Sequence, residues 1–302
     1  MALAVAAPPK HLLQVADFTR GQLEDLLGLA TRMKTDPLGW RNTHAGRTLA
    51  CFLREPSTRT RVSLEVAAQR LGMLPLMLRS DELQIGRGEP TFDTARLLSA
   101  YVDAVAVAGL AQVDLQRLST AAAVPVINAQ SEEHNPCQAL ADLLTIKERF
   151  GRIEGLKLAY VGGATDIAHS LMQASALFGM DFTLANACGC RPHAEVLIRA
   201  HALAERCGGS VELVADPDAA VRRANVVYAD AGLHGHQVTA DLMALAAHDA
   251  IFMHRLPAQR GAEVAAAVID GPSSAVFQQA ANRLPTQQAL IHTLMHTRTQ
   301  AA

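Results

Sequence analysis

The sequence carries no excess charge of either sign. Lys and Arg total 27 against 29 for Asp and Glu, a formal net charge of -2, so no long-range field draws the chain to nucleic acid or to an anionic membrane. A small-molecule ligand is the class left standing. Long apolar runs are missing too: the opening MALAVAAPPK is too short for a secretory signal, and no later segment reaches membrane-spanning length without a charge or a proline. The expected location is the cytoplasm. A disulfide framework is also lacking, because Cys51, Cys137, Cys188, Cys190 and Cys207 are an odd number in a long chain and fit reduced thiols. Cys188-Gly189-Cys190 has the wrong separation for a Cys-x-x-Cys site and His193 does not complete it, so no metal is expected there. His292 and His296 share a helical face without the Glu of the zincin pattern, and read as a solvated surface pair. No Gly-x-Gly-x-x-Gly follows a strand, which removes a dinucleotide-binding reading of Gly162-Gly163.

What is present is apolar content, half of 302 residues, enough for two α/β domains each with its own core. Apolar, β-rich runs at 48–53, 104–108, 156–162, 181–185, 225–229 and 250–254 are each followed by helical periodicity, which predicts doubly wound parallel sheets. Amphipathic helices are expected at 62–71, with Val62, Val66 and Leu71 near one face, and at 138–150. Gly151-Arg152-Ile153-Glu154-Gly155 breaks the pattern before a fresh strand. The domain boundary is therefore expected near residue 150, giving domains 1–149 and 150–302. A last helix is expected from about Thr286, a candidate to pack back on the first domain.

Pro56-Ser57-Thr58-Arg59-Thr60-Arg61 follows a predicted strand and opens a predicted helix. There, hydroxyls, free backbone N–H groups and the helix dipole point at one spot, a site for phosphate or carboxylate, and Arg59 adds bidentate, charge-assisted donors. The same residues also suit a simple Ser/Thr helix cap with exposed arginines. Local physics does not choose between the two.

The stretch Leu53-Arg54-Glu55-Pro56-Ser57-Thr58-Arg59-Thr60 resembles the signature of the aspartate and ornithine carbamoyltransferases, with Leu53 where that family usually has Phe. Gln84-Ile85-Gly86-Arg87-Gly88-Glu89, Asp93-Thr94-Ala95-Arg96 and Asn135-Pro136-Cys137-Gln138-Ala139-Leu140-Ala141-Asp142 are similar to the ornithine branch. Phe252-Met253-His254-Arg255-Leu256-Pro257-Ala258 and Asn282-Arg283-Leu284 complete the series in the family's order. The resemblance implies two α/β domains with the active site in the interdomain cleft, the first binding carbamoyl phosphate and the second the amine. It implies transfer of the carbamoyl group to ornithine, giving citrulline and phosphate in arginine biosynthesis, without metal or organic cofactor. It also implies a cytoplasmic homotrimer in which the Gln84 loop completes the neighbouring site. By match, Ser57, Thr58, Arg59, Thr60 and Arg283 hold the phosphate and Gln138 the carbamoyl end. Asp230 orients the amine, and Leu256 lies beside both substrates.

Five departures bear on function. The family's phosphate-binding arginine after the first-domain strand falls on Ala108. The histidine of its His-Pro-x-Gln motif falls on Asn135, with His134 displaced by one position. The Asn that binds the amino-acid carboxylate becomes Asp166, whose charge repels the group it should bind. The Ser-Met-Gly loop is largely missing between Asp230 and Gln237, and His-Cys-Leu-Pro becomes His254-Arg255-Leu256-Pro257, a thiol exchanged for a permanent cation. Arg255 is expected to take over the lost arginine's contact with the phosphate or carbamoyl oxygen. Two alternatives stay open: a different acceptor such as a diamine, with Asp166 and Asp230 holding two ammonium groups, and a non-catalytic anion-binding paralogue.

Overall fold

The computed structural model describes residues 8–79, 81, 83–186, 191–230 and 237–301. The described chain divides into two compact units, one made of the residues up to Cys137 with those from Arg283 onward, the other of Gln138–Asn282. In the first unit, β1 (Thr48–Leu53), β2 (Leu74–Arg79), β3 (Ala104–Leu110) and β4 (Val126–Ser131) form a parallel sheet in the order β2-β1-β3-β4. The central runs TLACFL and AVAVAGL are nearly all apolar and buried, as a parallel strand covered on both faces must be. Phe52, Val105, Val107, Leu115 and Val126 anchor the core beside them.

In the second unit, β5 (Lys157–Val161), β6 (Asp181–Ala185), β7 (Ser210–Val214), β8 (Val226–Ala229) and β9 (Ile251–His254) form a parallel sheet in the order β7-β6-β5-β8-β9. Val161, Val227, Phe252 and Val264 belong to one of its core clusters. Two parallel-sheet α/β domains are thus the fold, as the alternation of apolar runs and helical periodicity predicts.

Six of the nine strands follow the apolar runs, and β2, β4 and β7 are additional. All three are edges of their sheets; β2 and β7 carry exposed residues, whereas β4 is buried along nearly its whole length. In β2 the run also contains Pro75, which an edge strand tolerates because one side of its ladder is unpaired. The C-terminal helix, Val276–Ala301, begins ten residues before the expected Thr286. Pro285, a start signal by its fixed φ, lies instead inside that helix, where it removes a single backbone bond. No described helix is long and apolar enough to cross a membrane.

Strand order reverses between β1 and β3 in the first unit and between β5 and β8 in the second. In open parallel sheets, ligands bind at the carboxyl ends of the strands at such reversals. Both groups of candidate residues emerge there.

Candidate active site

The first half-site begins where β1 stops. Leu53 pairs with Ala108 in register, and the Arg54 N–H donates to the Ala108 carbonyl at 2.9 Å. β3 bulges at this level, with Gly109 at φ +93, and a Cβ on Gly109 would stand 2.8 Å from the Arg54 Cβ. Glycine therefore lets the two strand ends close together beneath the turn. Ser57 is the N-cap of the helix Thr58–Arg70, accepting from the Thr60 N–H and donating to the Thr60 Oγ1 at 3.0 Å. Arg283 is 1% exposed, and its Nη2 lies 3.4 Å from the Thr60 Oγ1. A guanidinium 223 residues away in sequence thus ends on the helical turn that carries Arg59. Ser57 is a cap, and it also sits where a buried cation and a helix N-terminus converge.

His134 is buried rather than solvated. Its N–H donates to the Ser131 Oγ at 3.0 Å and its carbonyl accepts from the Ser131 N–H at 2.8 Å, so the displaced histidine closes the turn after β4. Asn135 is buried next to it. Burial pushes the Cys137 thiol up to about 11, with Arg283 opposing, so it stays protonated at neutral pH. Gln84 is exposed at the start of the 3-10 turn Gln84–Arg87. Ala108 presents only a methyl group at the end of β3.

The second half-site lies in the other unit. β5, β8 and β9 end in register at Val161, Ala229 and His254. Asp230 and Arg255 follow their strands directly, and Asp166 opens the helix Asp166–Leu177 after β5. Arg255 joins the two acids: its Nε donates to Asp230 Oδ1 at 2.8 Å, and its Nη1 to both Asp166 oxygens at 2.7 and 2.9 Å. Side-chain exposure is 8% for Asp166, 1% for Asp230 and 19% for Arg255. Burial alone would lower the Arg255 pKa, but Asp166 and then Asp230 outweigh it and raise it further. Arg255, expected to face phosphate or carbamoyl oxygen, thus lies against two carboxylates of its own unit. Asp166 is charge-compensated by this pairing, so the repulsion read from its sequence position is largely cancelled.

Two further residues complete this corner. The Asp230 Oδ2 accepts from the Thr165 Oγ1 at 3.0 Å and from the Tyr160 hydroxyl at 3.2 Å. Burial, and then Asp230, push the Tyr160 hydroxyl well above its usual range, which keeps it a donor. Tyr160 stacks on Tyr228, ring centroids 5.4 Å apart. The Tyr228 hydroxyl accepts from Gln279 Nε2 at 3.0 Å, and the same amide donates to Asp142 Oδ1, which also accepts from Gln138 Nε2 at 2.8 Å. Gln138 is therefore positioned by a buried carboxylate in the helix Pro136–Phe150. Tyr160 and Thr165 were not anticipated from sequence. The available signal was a tyrosine in a strand buried on both faces, whose hydroxyl must find a partner. Leu256 adopts φ +56, a left-handed conformation that costs a non-glycine residue about 1–3 kcal/mol and marks a constrained turn. Its N–H donates to His254 Nδ1 at 2.9 Å, leaving His254 Nε2 toward Glu263, 3.3 Å away.

The missing loop between Asp230 and Gln237 and the Cys188-Gly189-Cys190 segment lie outside the described residues. The His193 N–H donates to His169 Nε2 at 3.3 Å. No group of three or more His, Cys, Asp or Glu suited to a metal occurs among the described residues. Of the surface pair, His296 is exposed as expected, whereas His292 is half-buried, T-shaped against Trp40 and 3.1 Å from His44.

Two parallel-sheet units, each with charged side chains at its strand-order reversal, define an α/β protein with a candidate small-molecule site in each. Residues 10–148 match the aspartate/ornithine carbamoyltransferase carbamoyl-P binding domain, and residues 154–294 match the Asp/Orn binding domain. The chain belongs to the aspartate/ornithine carbamoyltransferase family. It is 44% identical to an ornithine carbamoyltransferase of Acidothermus cellulolyticus over 95% of this chain and 96% of that one. It superposes on the Pyrococcus furiosus ornithine carbamoyltransferase with a TM-score of 0.93 at 41% identity, covering 97% and 99% of the two chains. An N-acetyl-L-ornithine transcarbamylase is also similar, with a TM-score of 0.85 at 28% identity over 95% and 100%.

Proposed function

We propose that this protein transfers the carbamoyl group of carbamoyl phosphate to the side-chain amine of ornithine, giving citrulline and phosphate. The observation that carries this is the arrival of buried Arg283 on the Ser57–Thr60 turn, in a chain whose relatives at about this identity are ornithine carbamoyltransferases. In the reaction the neutral amine nitrogen bonds to the carbamoyl carbon, the carbon–oxygen bond to phosphate breaks, and phosphate leaves with the electron pair while the nitrogen sheds a proton. Ser57, Thr58, Arg59, Thr60 and Arg283 hold the phosphate, where preorganised donors favour the charge that grows on the leaving oxygen. Gln138, Asn135 and the Leu256 turn hold the carbamoyl end, and His134 shapes the loop beneath it. Asp230 orients the amine. Domains close to 1–149 and 150–302 carry the donor and acceptor halves respectively, except that the chain from Arg283 onward belongs with the donor half.

The protein works as a cytoplasmic homotrimer in arginine biosynthesis, with exposed Gln84 reaching the neighbouring site. Leu74 and Leu76 on the edge strand β2, and Phe92, Leu97 and Tyr101 on the helix Thr91–Tyr101, are large exposed apolar side chains that support burial against a second copy. Arg59→Ala and Arg283→Met test the phosphate site. Each is expected to lower kcat/KM about 100-fold or more, the scale for loss of one transition-state donor. Activity within threefold of the parent in both variants would remove these residues from the site.

A further inference from the structure

One fully buried carboxamide in the second unit makes contacts of both signs at once. The Gln279 Oε1 accepts the His254 backbone N–H at 2.9 Å, while its Nε2 donates to Asp142 Oδ1 at 2.7 Å and to the Tyr228 hydroxyl oxygen at 3.0 Å. No other neutral side chain of that length accepts a backbone N–H and also donates twice, since an ionised Glu has no donor and a Lys no acceptor. Asp142 is 0% exposed and stands 137 residues away in sequence, in the helix Pro136–Phe150. Its Oδ1 also accepts from Gln138 Nε2 at 2.8 Å. A carboxylate so deeply buried is costly unless donors meet it, and the two amides supply them.

These contacts set a polarity. A carboxylate accepts and does not donate, so Gln138 must turn its Nε2 toward Asp142 and its Oε1 the other way. Reversing the Gln138 amide would set oxygen against oxygen in a buried position. Carbamoyl and acetyl groups have nearly the same shape and differ in NH2 against CH3, two donors against none. An oxygen presented by Gln138 accepts from the first and gains nothing from the second. We propose that Gln279 and Asp142 are positioning residues for donor selectivity: they lock the Gln138 amide in one orientation, so that the site takes a carbamoyl group and refuses an acetyl group of the same size. This rests on the carbamoyl-transfer reading for the place of Gln138, and it is measured by binding alone, without turnover.

The test uses two stable phosphonates that differ only in NH2 against CH3, phosphonoacetamide and 2-oxopropylphosphonate, with inorganic phosphate as the probe of the phosphate contacts. Binding of each to the full-length protein is measured by calorimetry without amine. The parent is expected to favour the amide over the methyl ketone at least about tenfold, as a site built to hydrogen-bond a group rejects the analogue that lacks it. Gln279→Leu removes both donors, and Asp142→Asn keeps the shape but lets either end of the Gln138 amide face it. Each is expected to bring the two phosphonates within about threefold of one another, with inorganic phosphate within about threefold of the parent. A merely structural role would weaken all three probes together. Where Gln279→Leu fails to fold, Asp142→Asn carries the test. Gln138→Glu/Asp142→Asn exchanges carboxylate and amide at constant net charge, so an acceptor again faces the ligand, and the preference is expected to return even where the moved charge weakens both phosphonates. Equal binding of the two phosphonates by the parent, no binding of phosphonoacetamide, a preference that survives Asp142→Asn, a parallel loss of inorganic phosphate, or no return in the exchanged variant would overturn the proposal. An Asp142-dependent preference in a protein that forms no citrulline from carbamoyl phosphate and ornithine would sink the transfer reading while supporting this one.

Discussion

Removing Arg255 alone strands two carboxylates that have little access to water. Breaking a buried ion pair from one side costs roughly 3–5 kcal/mol, because the remaining charge keeps its desolvation penalty. Arg255→Met is therefore expected to lower the urea midpoint markedly, whereas Asp166→Ala/Arg255→Met recovers a large part of the loss. A double variant no more stable than the single one would mean that the acids find other partners. Sequence reading treats Asp166 and Arg255 separately, one repelling the amino-acid carboxylate and one replacing the arginine lost at Ala108. They lie 89 residues apart, and nothing in the chain joins them until β5 and β9 are known to flank β8. Asp230 entered through the family resemblance, and it follows β8 directly. Tyr160 and Thr165 were not, because a buried hydroxyl names no partner until the neighbouring strand end is placed beside it.

At the level of elements, the β3 bulge and the C-terminal helix make testable demands. Gly109→Ala would set a Cβ 2.8 Å from the Arg54 Cβ at a left-handed φ, and is expected to cost about 1–3 kcal/mol, read by thermal or urea unfolding. In the C-terminal helix, His292 packs on Trp40 and His44. Burial, then His292, His296 and Arg47, lower the His44 pKa from 6.5 to about 4, and burial lowers that of His292 as well. The neutral rings are therefore favoured in the fold, and unfolding takes up protons between the two pKa values. Stability from this cluster is full above pH 6.5 and is lost as pH falls toward about 4. His44→Gln is expected to flatten the fall in melting temperature across that window; an unchanged slope would show that other groups set it. Central strands were legible as apolar runs, since burial on both faces writes itself into composition. The edges β2, β4 and β7 were not: exposed residues dilute the signal in β2 and β7, Asn128, Gln130 and Ser131 interrupt it in β4, and Pro285 misdirected the start of the last helix.

For the whole molecule, the sequence carried the α/β class and the order of the motifs, while folding shows what they share: each set stands at the strand-order reversal of its own sheet. In the proposed trimer, exposed apolar side chains of the first unit are covered by a second copy. Leu76→Glu is expected to shift the mass in solution from three chains toward one and to lower activity with it, because Gln84 then loses its neighbour. A parent protein that runs as a single chain at micromolar concentration would remove the trimer. The most direct measurement of the central claim follows phosphate and citrulline together after mixing the purified protein with carbamoyl phosphate and ornithine. The expected result is equal amounts of both products, at a rate cut at least about 100-fold by Arg59→Ala. Carbamoyl phosphate bound at the Ser57–Thr60 turn, with no ureido product from ornithine or any other amine, would contradict it.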